Sequence, residues 1–253
     1  MIPKTIHLCW LSGDPYPETI ARCIASWKEH LPDYEVMLWD RERFDIDSTL
    51  WTKQAFAAKK YAFAADYIRL YALYHYGGIY MDSDVLVYKS FDDLLHLPYF
   101  IGEDYVGCFE PAIIGAEKNN PWIKAVLDHY DGREFAKPDG SLDMKSLPLV
   151  FRDRLCGKYT FRKINDAREF SVSGDEICIF NYKFFNSRDY VGAVRYEKSY
   201  CSHNFIGSWY KEGDTIKDKL KAIVPRPISN LMYHLHYMLY AKSMISGRKI
   251  PFK

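Results

Sequence analysis

The sequence predicts an α/β protein whose sheet opens with parallel strands, and three observations carry that expectation. The segment from Pro3 to Trp10 alternates, with Ile6 and Leu8 apolar, and reads as a strand. Glu18 to His30 repeats Ile20, Ile24 and Trp27 at helical spacing, and YEVMLWD, from Tyr34 to Asp40, is β-rich again. Strand, helix and strand in that order begin a parallel sheet, because parallel neighbours need a crossover connection.

The remaining elements follow along the chain. Trp51 to Tyr76 is rich in Ala, Lys and Leu and lacks Pro and Gly, so it predicts a helix-turn-helix or one broken helix, stopped by Gly77 and Gly78. A third strand is expected from Ile79 to Val87. FIGEDYVGCFEPAIIGA reads as short strands and turns. NPWIKAVLDHYDG reads as a helix capped by Asn120, with Pro121 at its first position. The pattern then weakens: Phe135 to Lys145 predicts a loop, while EICIF and the YKFFN run predict strands. YCSHNFIGSW predicts a strand running into a turn, and Ile228 to Ile245 a helix with Leu231, Leu235, Met238 and Leu239 on one side. The expected division is a catalytic domain over 1–214 and a basic, aromatic helical tail over 215–253.

Composition narrows the function classes. At 253 residues with 48% hydrophobic and 26% charged side chains, the chain can bury a globular core. A net charge of +1 supplies no general argument for a nucleic-acid partner. From Thr215 onward, however, Lys217, Lys219, Lys221, Arg226, Lys242, Arg248, Lys249 and Lys253 face Asp218 alone, which suits peripheral contact with an anionic membrane. The 6 cysteines are scattered without a CxxC pair, so a reducing compartment is expected rather than a zinc site or disulfide framework. No apolar signal region opens the sequence and no run is suited to spanning a bilayer, so a cytoplasmic location is expected, at the inner face of the plasma membrane if the tail binds lipid.

Asp82 and Asp84 stand in the expected third strand, HYGGIYMDSDVLVY. In an extended strand both project to one side, where two carboxylates repel and each is costly to desolvate. A hard cation such as Mg²⁺ or Mn²⁺ relieves both problems and bridges to phosphates. A bare DxD is short and frequent, and a solvated strand end would account for it equally well. Upstream, Asp66 and Arg69 lie three residues apart on one helical face, a spacing also common in surface ion pairs. The helix feeds through Gly77 and Gly78 into the acidic segment, so both pairs can share one neighbourhood.

Together, Ala65-Asp66-Tyr67-Ile68-Arg69, Leu70-Tyr71 and Gly77 through Asp84 resemble the sugar-binding region containing the DxD motif. That region marks glycosyltransferases related to yeast initiating mannosyltransferases, bacterial capsule transferases and the large clostridial glucosylating toxins. Ile2 to Trp10 and EVMLWD resemble the family's first two strands, and His203 with Ser208-Trp209 its closing element. The resemblance covers residues 2 to about 125 and, beyond them, only that closing element. It implies a GT-A type nucleotide-sugar-binding α/β sandwich, with the donor at the carboxyl ends of the strands. It also implies that Asp84 ligates Mn²⁺ or Mg²⁺ directly, that Asp82 reaches the metal through water or binds ribose, and that His203 reaches metal or diphosphate. Asp66 and Arg69 would grip donor-sugar hydroxyls, and Tyr80 would line the same pocket. Trp10 would stack on the base, His7 would belong to the cofactor-binding set, and Ser208, Trp209 and Lys211 would close on the phosphates. Glu110 lies in a segment resembling acceptor-side sequence.

The function implied is a metal-dependent, retaining transfer of a hexose, with a UDP-sugar favoured and GDP-mannose open. The acceptor would be a glycan or lipid-linked oligosaccharide in surface polysaccharide synthesis. Two other readings stay open: a non-catalytic glycan- or nucleotide-binding module, and an aspartyl-phosphate phosphatase. The latter normally carries its DxD after the first strand, whereas here two predicted strands and a long helical region come first.

Overall fold

A computed structural model of the chain describes residues 1–186, 188–189, 192–193, 195–204 and 247–252. The expected opening is present as β1 (Thr5–Cys9), α1 (Glu18–His30) and β2 (Glu35–Trp39), with β1 and β2 parallel. The long helical region is two helices, α2 (Leu50–Ala57) and α3 (Tyr61–Tyr76). Lys59, at φ 56°, turns the chain between them. Next come β3 (Gly78–Met81), β4 (Val85–Val87), β5 (Tyr99–Glu103) and β6 (Phe109–Ala116). Then α4 (Pro121–Leu127) begins as expected, the Asn120 side chain accepting the amides of Trp122 and Ile123. The chain continues through α5 (Leu147–Leu155), β7 (Thr160–Ile164) and β8 (Glu176–Phe180). A two-stranded ladder of β9 (Arg188–Asp189) and β10 (Gly192–Ala193) precedes β11 (Cys201–His203).

The architecture is a mixed α/β sandwich. Seven strands run in the order β2-β1-β3-β6-β5-β8-β7. β3 joins β1 in parallel, whereas β6 is antiparallel to both β3 and β5. The β5–β8 and β7–β8 pairs are parallel again. Each face of the sheet carries its own core. Trp51, Phe63, Ile68, Leu73, Tyr80, Trp122 and Phe151 pack on the side of α2 to α5. Ile6, Trp27, Ile79, Met81, Val85, Phe100 and Tyr200 pack on the side of α1. Ile79 and Met81 thus point one way and Tyr80 the other, the period-two alternation of a strand covered on both faces.

Two sequence expectations are corrected. The stretch from Ile79 to Val87 is not one strand: after Met81 the chain turns, with the Val85 amide donating to the Asp82 carbonyl at 3.0 Å, and β4 leaves the central sheet to pair antiparallel with β11. Trp27 Nε1 donates to the Val85 carbonyl at 2.7 Å and the Val87 amide donates to Ser26 Oγ at 3.0 Å, so α1 holds β4 off the sheet. The YKFFN run is a set of turns rather than a strand, closed by Phe184 N to Asn181 O at 3.0 Å and Asn186 N to Tyr182 O at 2.9 Å. Its aromatics imitate a β pattern, yet Phe184 and Phe185 are buried because the turn drives them into the ring cluster around Phe100, Phe180 and Tyr200.

The Ile228–Ile245 helix lies outside the described residues, as does most of the expected tail. Its end returns to the body: the Ile250 amide donates to the Gly107 carbonyl at 2.9 Å, and Arg152 Nε donates to the Lys249 carbonyl at 3.3 Å. Among the described residues no helix is long and apolar enough to cross a membrane.

Gly77 and Gly78 permit the close approach of α3, β1 and β3. Their φ values are +68° and +107°, and a Cβ on Gly78 would sit 2.6 Å from the Thr5 carbonyl oxygen. Gly78→Ala is therefore expected to destabilise the fold by at least about 1–3 kcal/mol from backbone conformation alone. The check is a lowered urea midpoint; an unchanged midpoint would mean that β1 and β3 can part freely here.

Candidate metal and sugar site

The site forms where the carboxyl ends of β1 and β3 meet α3. This helix is buried along one side because Ala64, Ala65, Ile68 and Ala72 let it press closely on the sheet. Asp66 and Arg69 face inward from it, 8% and 6% exposed. Nη2 of Arg69 lies 3.0 Å from Asp66 Oδ1 and 3.2 Å from Asp82 Oδ1, while Nη1 donates to the Pro111 carbonyl at 2.8 Å. The guanidinium carbon stands 4.4 Å from the centre of the Tyr80 ring, and Tyr80 Oη donates to Asp82 Oδ1 at 2.8 Å. One buried cation thus ties α3 to the DxD turn and to β6.

The two aspartates meet on one side, as expected, although a turn and not a strand brings them there. His203 arrives at the end of β11, paired opposite Val85. Its Nε2 is 3.3 Å from Asp84 Oδ1 and 4.0 Å from Asp82 Oδ2. Asp82, Asp84 and His203 each offer a ligand atom, all within 4.8 Å of one another. Oxygen donors with one imidazole suit Mn²⁺ or Mg²⁺.

The electrostatics fit a cation. Among the described residues, Asp66, Asp82, Asp84 and Glu110 surround the two cationic side chains Arg69 and His203. Burial raises the Asp66 carboxyl to about 7, with Arg69 opposing the shift and Asp82 adding to it. Burial also raises Asp82, against the pull of Arg69 and His203. Burial alone would lower the His203 imidazole, but Glu110 and Asp84 outweigh it and hold the ring well above its usual range. With His203 protonated the cluster still has more carboxylates than cations, an excess that a divalent ion would offset.

His7 has a different task from the cofactor contact expected of it. It is fully buried, its Nε2 lies 2.6 Å from the Gly77 carbonyl, and its Nδ1 accepts from Trp39 Nε1 at 3.0 Å. Both ring nitrogens are therefore occupied, and the imidazole fastens the glycine turn to β1 and β2. Arg69 is likewise enclosed by protein groups, and its buried Nε has no hydrogen-bond partner among the described residues. Trp10 sits half-buried just beyond β1, edge-on to Tyr16 at 4.9 Å, with its Nε1 donating to the Asp14 carbonyl. Ser208, Trp209 and Lys211 lie outside the described residues.

Glu110 and Asn186 enter the site from β6 and from the YKFFN turn. Glu110 was legible only as a carboxylate in a segment, FEPAIIGA, that resembles acceptor-side sequence, and Asn186, in a segment that imitates a strand, left no signal. Arg69→Ala would strand the buried Asp66 carboxylate and the half-buried Asp82 carboxylate, and is expected to cost about 3–5 kcal/mol of folding stability. Chemical denaturation measures it, and a loss below about 1 kcal/mol, typical of a surface pair, would show that the guanidinium is not the tie described here.

Residues 17–101 match the family model described as "Glycosyltransferase sugar-binding region containing DXD motif". The chain is 32% identical over 130 residues to inositol phosphoceramide mannosyltransferase 3 of Schizosaccharomyces pombe, a match covering 50% of this chain and 36% of that protein. It is also 32% identical over 145 residues to mannosyl phosphorylinositol ceramide synthase SUR1 of Saccharomyces cerevisiae, covering 52% of this chain and 36% of that one. The chain thus spans little more than a third of the length of these relatives. Among solved structures, the PaToxG glycosyltransferase superposes with a TM-score of 0.46 at 24% identity, over 61% of this chain and 68% of that one. Asp66, Arg69, Asp82 and Asp84 all lie within the residues that match this glycosyltransferase sugar-binding model.

Proposed function

We propose that this chain is a metal-dependent glycosyltransferase of the GT-A type. It transfers a hexose, with retention of configuration, from a nucleotide-sugar to a glycan or lipid-linked acceptor. The observation that carries the reading is the convergence of Asp82, Asp84 and His203 beside the buried Asp66–Arg69 pair. The names of the yeast relatives favour mannose as the sugar and an inositol-phosphate lipid as the acceptor class, in place of the UDP-hexose favoured on resemblance alone.

Asp84, Asp82 and His203 would hold Mn²⁺ or Mg²⁺, which as a Lewis acid stabilises charge on the departing diphosphate. Arg69 fixes Asp82 from one side while Tyr80 Oη donates to it from another, so the carboxylate is oriented before substrate arrives. Asp66, at the pocket wall, accepts from donor-sugar hydroxyls. Trp10 offers a ring for the base, and Ser208, Trp209 and Lys211 cover the phosphates. The basic residues of 215–253 bring the chain to an anionic membrane that carries the acceptor.

Asp84→Asn should lower transfer at least about 100-fold, as expected when several kcal/mol of metal-dependent stabilisation are removed. The assay is sugar release and transfer from GDP- and UDP-hexoses with and without Mn²⁺; full activity in excess chelator would overturn the metal role. Proton NMR of the new anomeric centre tests retention. For the membrane role, reversing Lys217, Lys219 and Lys221 to Glu should abolish co-sedimentation with anionic liposomes, and unchanged sedimentation would reject it.

A further inference from the structure

Glu110 has no place in the mechanism above, although it is only 4% exposed. It is the second residue of β6. Its Oε2 accepts from Asn186 Nδ2 at 2.7 Å, and its Oε1 accepts from the Ala112 amide at 3.2 Å. Oε1 also lies 3.3 Å from His203 Nδ1. The opposite ring nitrogen, Nε2, is the one that faces Asp84 and Asp82. The imidazole therefore stands between two acidic groups, one on each nitrogen. Among the described residues, His203 is the cation with which Glu110 pairs.

A histidine that ligates a metal presents the lone pair of one nitrogen and carries its proton on the other. A carboxylate at the protonated nitrogen selects that tautomer, fixes the ring plane and makes the ligand more basic. The carboxylate must itself be fixed to do this. Asn186, fully buried, supplies that restraint from the turn after β8, and the Ala112 amide supplies another from β6. The order Asn186, Glu110, His203, Asp84 joins four separate parts of the chain in one line.

We propose that Glu110 is the positioning residue of the metal site: held by Asn186, it orients His203 so that Nε2 faces the cation bound by Asp82 and Asp84. This inference rests on the metal-dependent reading above and assigns the residue that makes His203 a ligand.

The test is the Mn²⁺ affinity of the full chain, read from the electron paramagnetic resonance of free Mn²⁺, for wild type, Glu110→Gln, His203→Ala and the double variant. Glu110→Gln keeps the shape of the side chain. Asn186 can turn its amide to offer Oδ1, which has no hydrogen-bond partner among the described residues, to the new N–H donor. Glu110→Gln is expected to weaken Mn²⁺ binding about 10–100-fold, the usual effect of losing a partner of a ligating histidine. In the His203→Ala background the same change is expected to add no further loss, because Glu110 acts through that ring. Wild-type affinity in Glu110→Gln, or an equal loss in both backgrounds, would overturn the proposal; the second result would make Glu110 a general negative charge. If thermal unfolding without metal shows Glu110→Gln to be misfolded, Asn186→Ala decides. It frees the carboxylate without removing it, and should weaken Mn²⁺ binding only while His203 is present. Absence of Mn²⁺ binding by the wild type would instead remove the metal-dependent reading itself.

Discussion

The guanidinium of Arg69 is the interaction on which the site's geometry depends. It is enclosed among Asp66, Asp82, the Pro111 carbonyl and the face of Tyr80, and so joins α3, the turn after β3, and β6 at one point. A buried cation needs compensating charge and hydrogen bonds, and this one finds both. Arginine suits the place because its planar fork reaches two acids and a carbonyl at once, while its flat surface lies on an aromatic ring. The small side chains of α3 permit the contact: bulkier residues at Ala64, Ala65 and Ala72 would hold the helix away from the sheet.

From that fixed point the chain departs from regular structure in a purposeful way. The Asp82 amide still donates to the Ala112 carbonyl at 2.8 Å, the last bond that keeps this strand in the central sheet. The turn through Asp84 then releases β4 to the ladder with β11, and β11 delivers His203 from more than a hundred residues away. Had the strand continued straight, the next residues would have paired with β6 and left no opening for a third ligand. Ending a sheet at the carboxyl ends of its strands is how open α/β folds create ligand crevices.

The charge pattern explains why the region breaks the usual rules of a core. Among the described residues, four carboxylates and two cations lie where apolar side chains would be the more stable choice. Sites that violate local preference while the rest of a chain obeys it are where function is expected. Here the violation is concentrated: strands β3, β5 and β6 are apolar apart from Glu103 and Glu110, which stand at or next to strand ends.

Local patterns were sufficient for the first half of the chain. The periodicity of Glu18–His30, the Asn-Pro start of α4 and the glycine stop after α3 each express a short-range preference, and each appears where expected. Asp66, Arg69, Asp82 and Asp84 were also legible, because one helix and one turn carry all four within nineteen residues. The second half was less readable. YKFFN imitates a strand because aromatic residues favour both strands and buried turns, and only packing distinguishes the two. His7, expected among the cofactor-binding residues, has its ring nitrogens taken up by Trp39 and Gly77. Nothing local joins Glu110 or Asn186 to His203. The sequence by itself determined the α/β class and the acidic half of the site, because those depend on periods and spacings within one segment. The His203 imidazole was expected by resemblance alone; only the tertiary structure set it beside the aspartates with Glu110 behind it, because those contacts join segments whose separation leaves no imprint on either one.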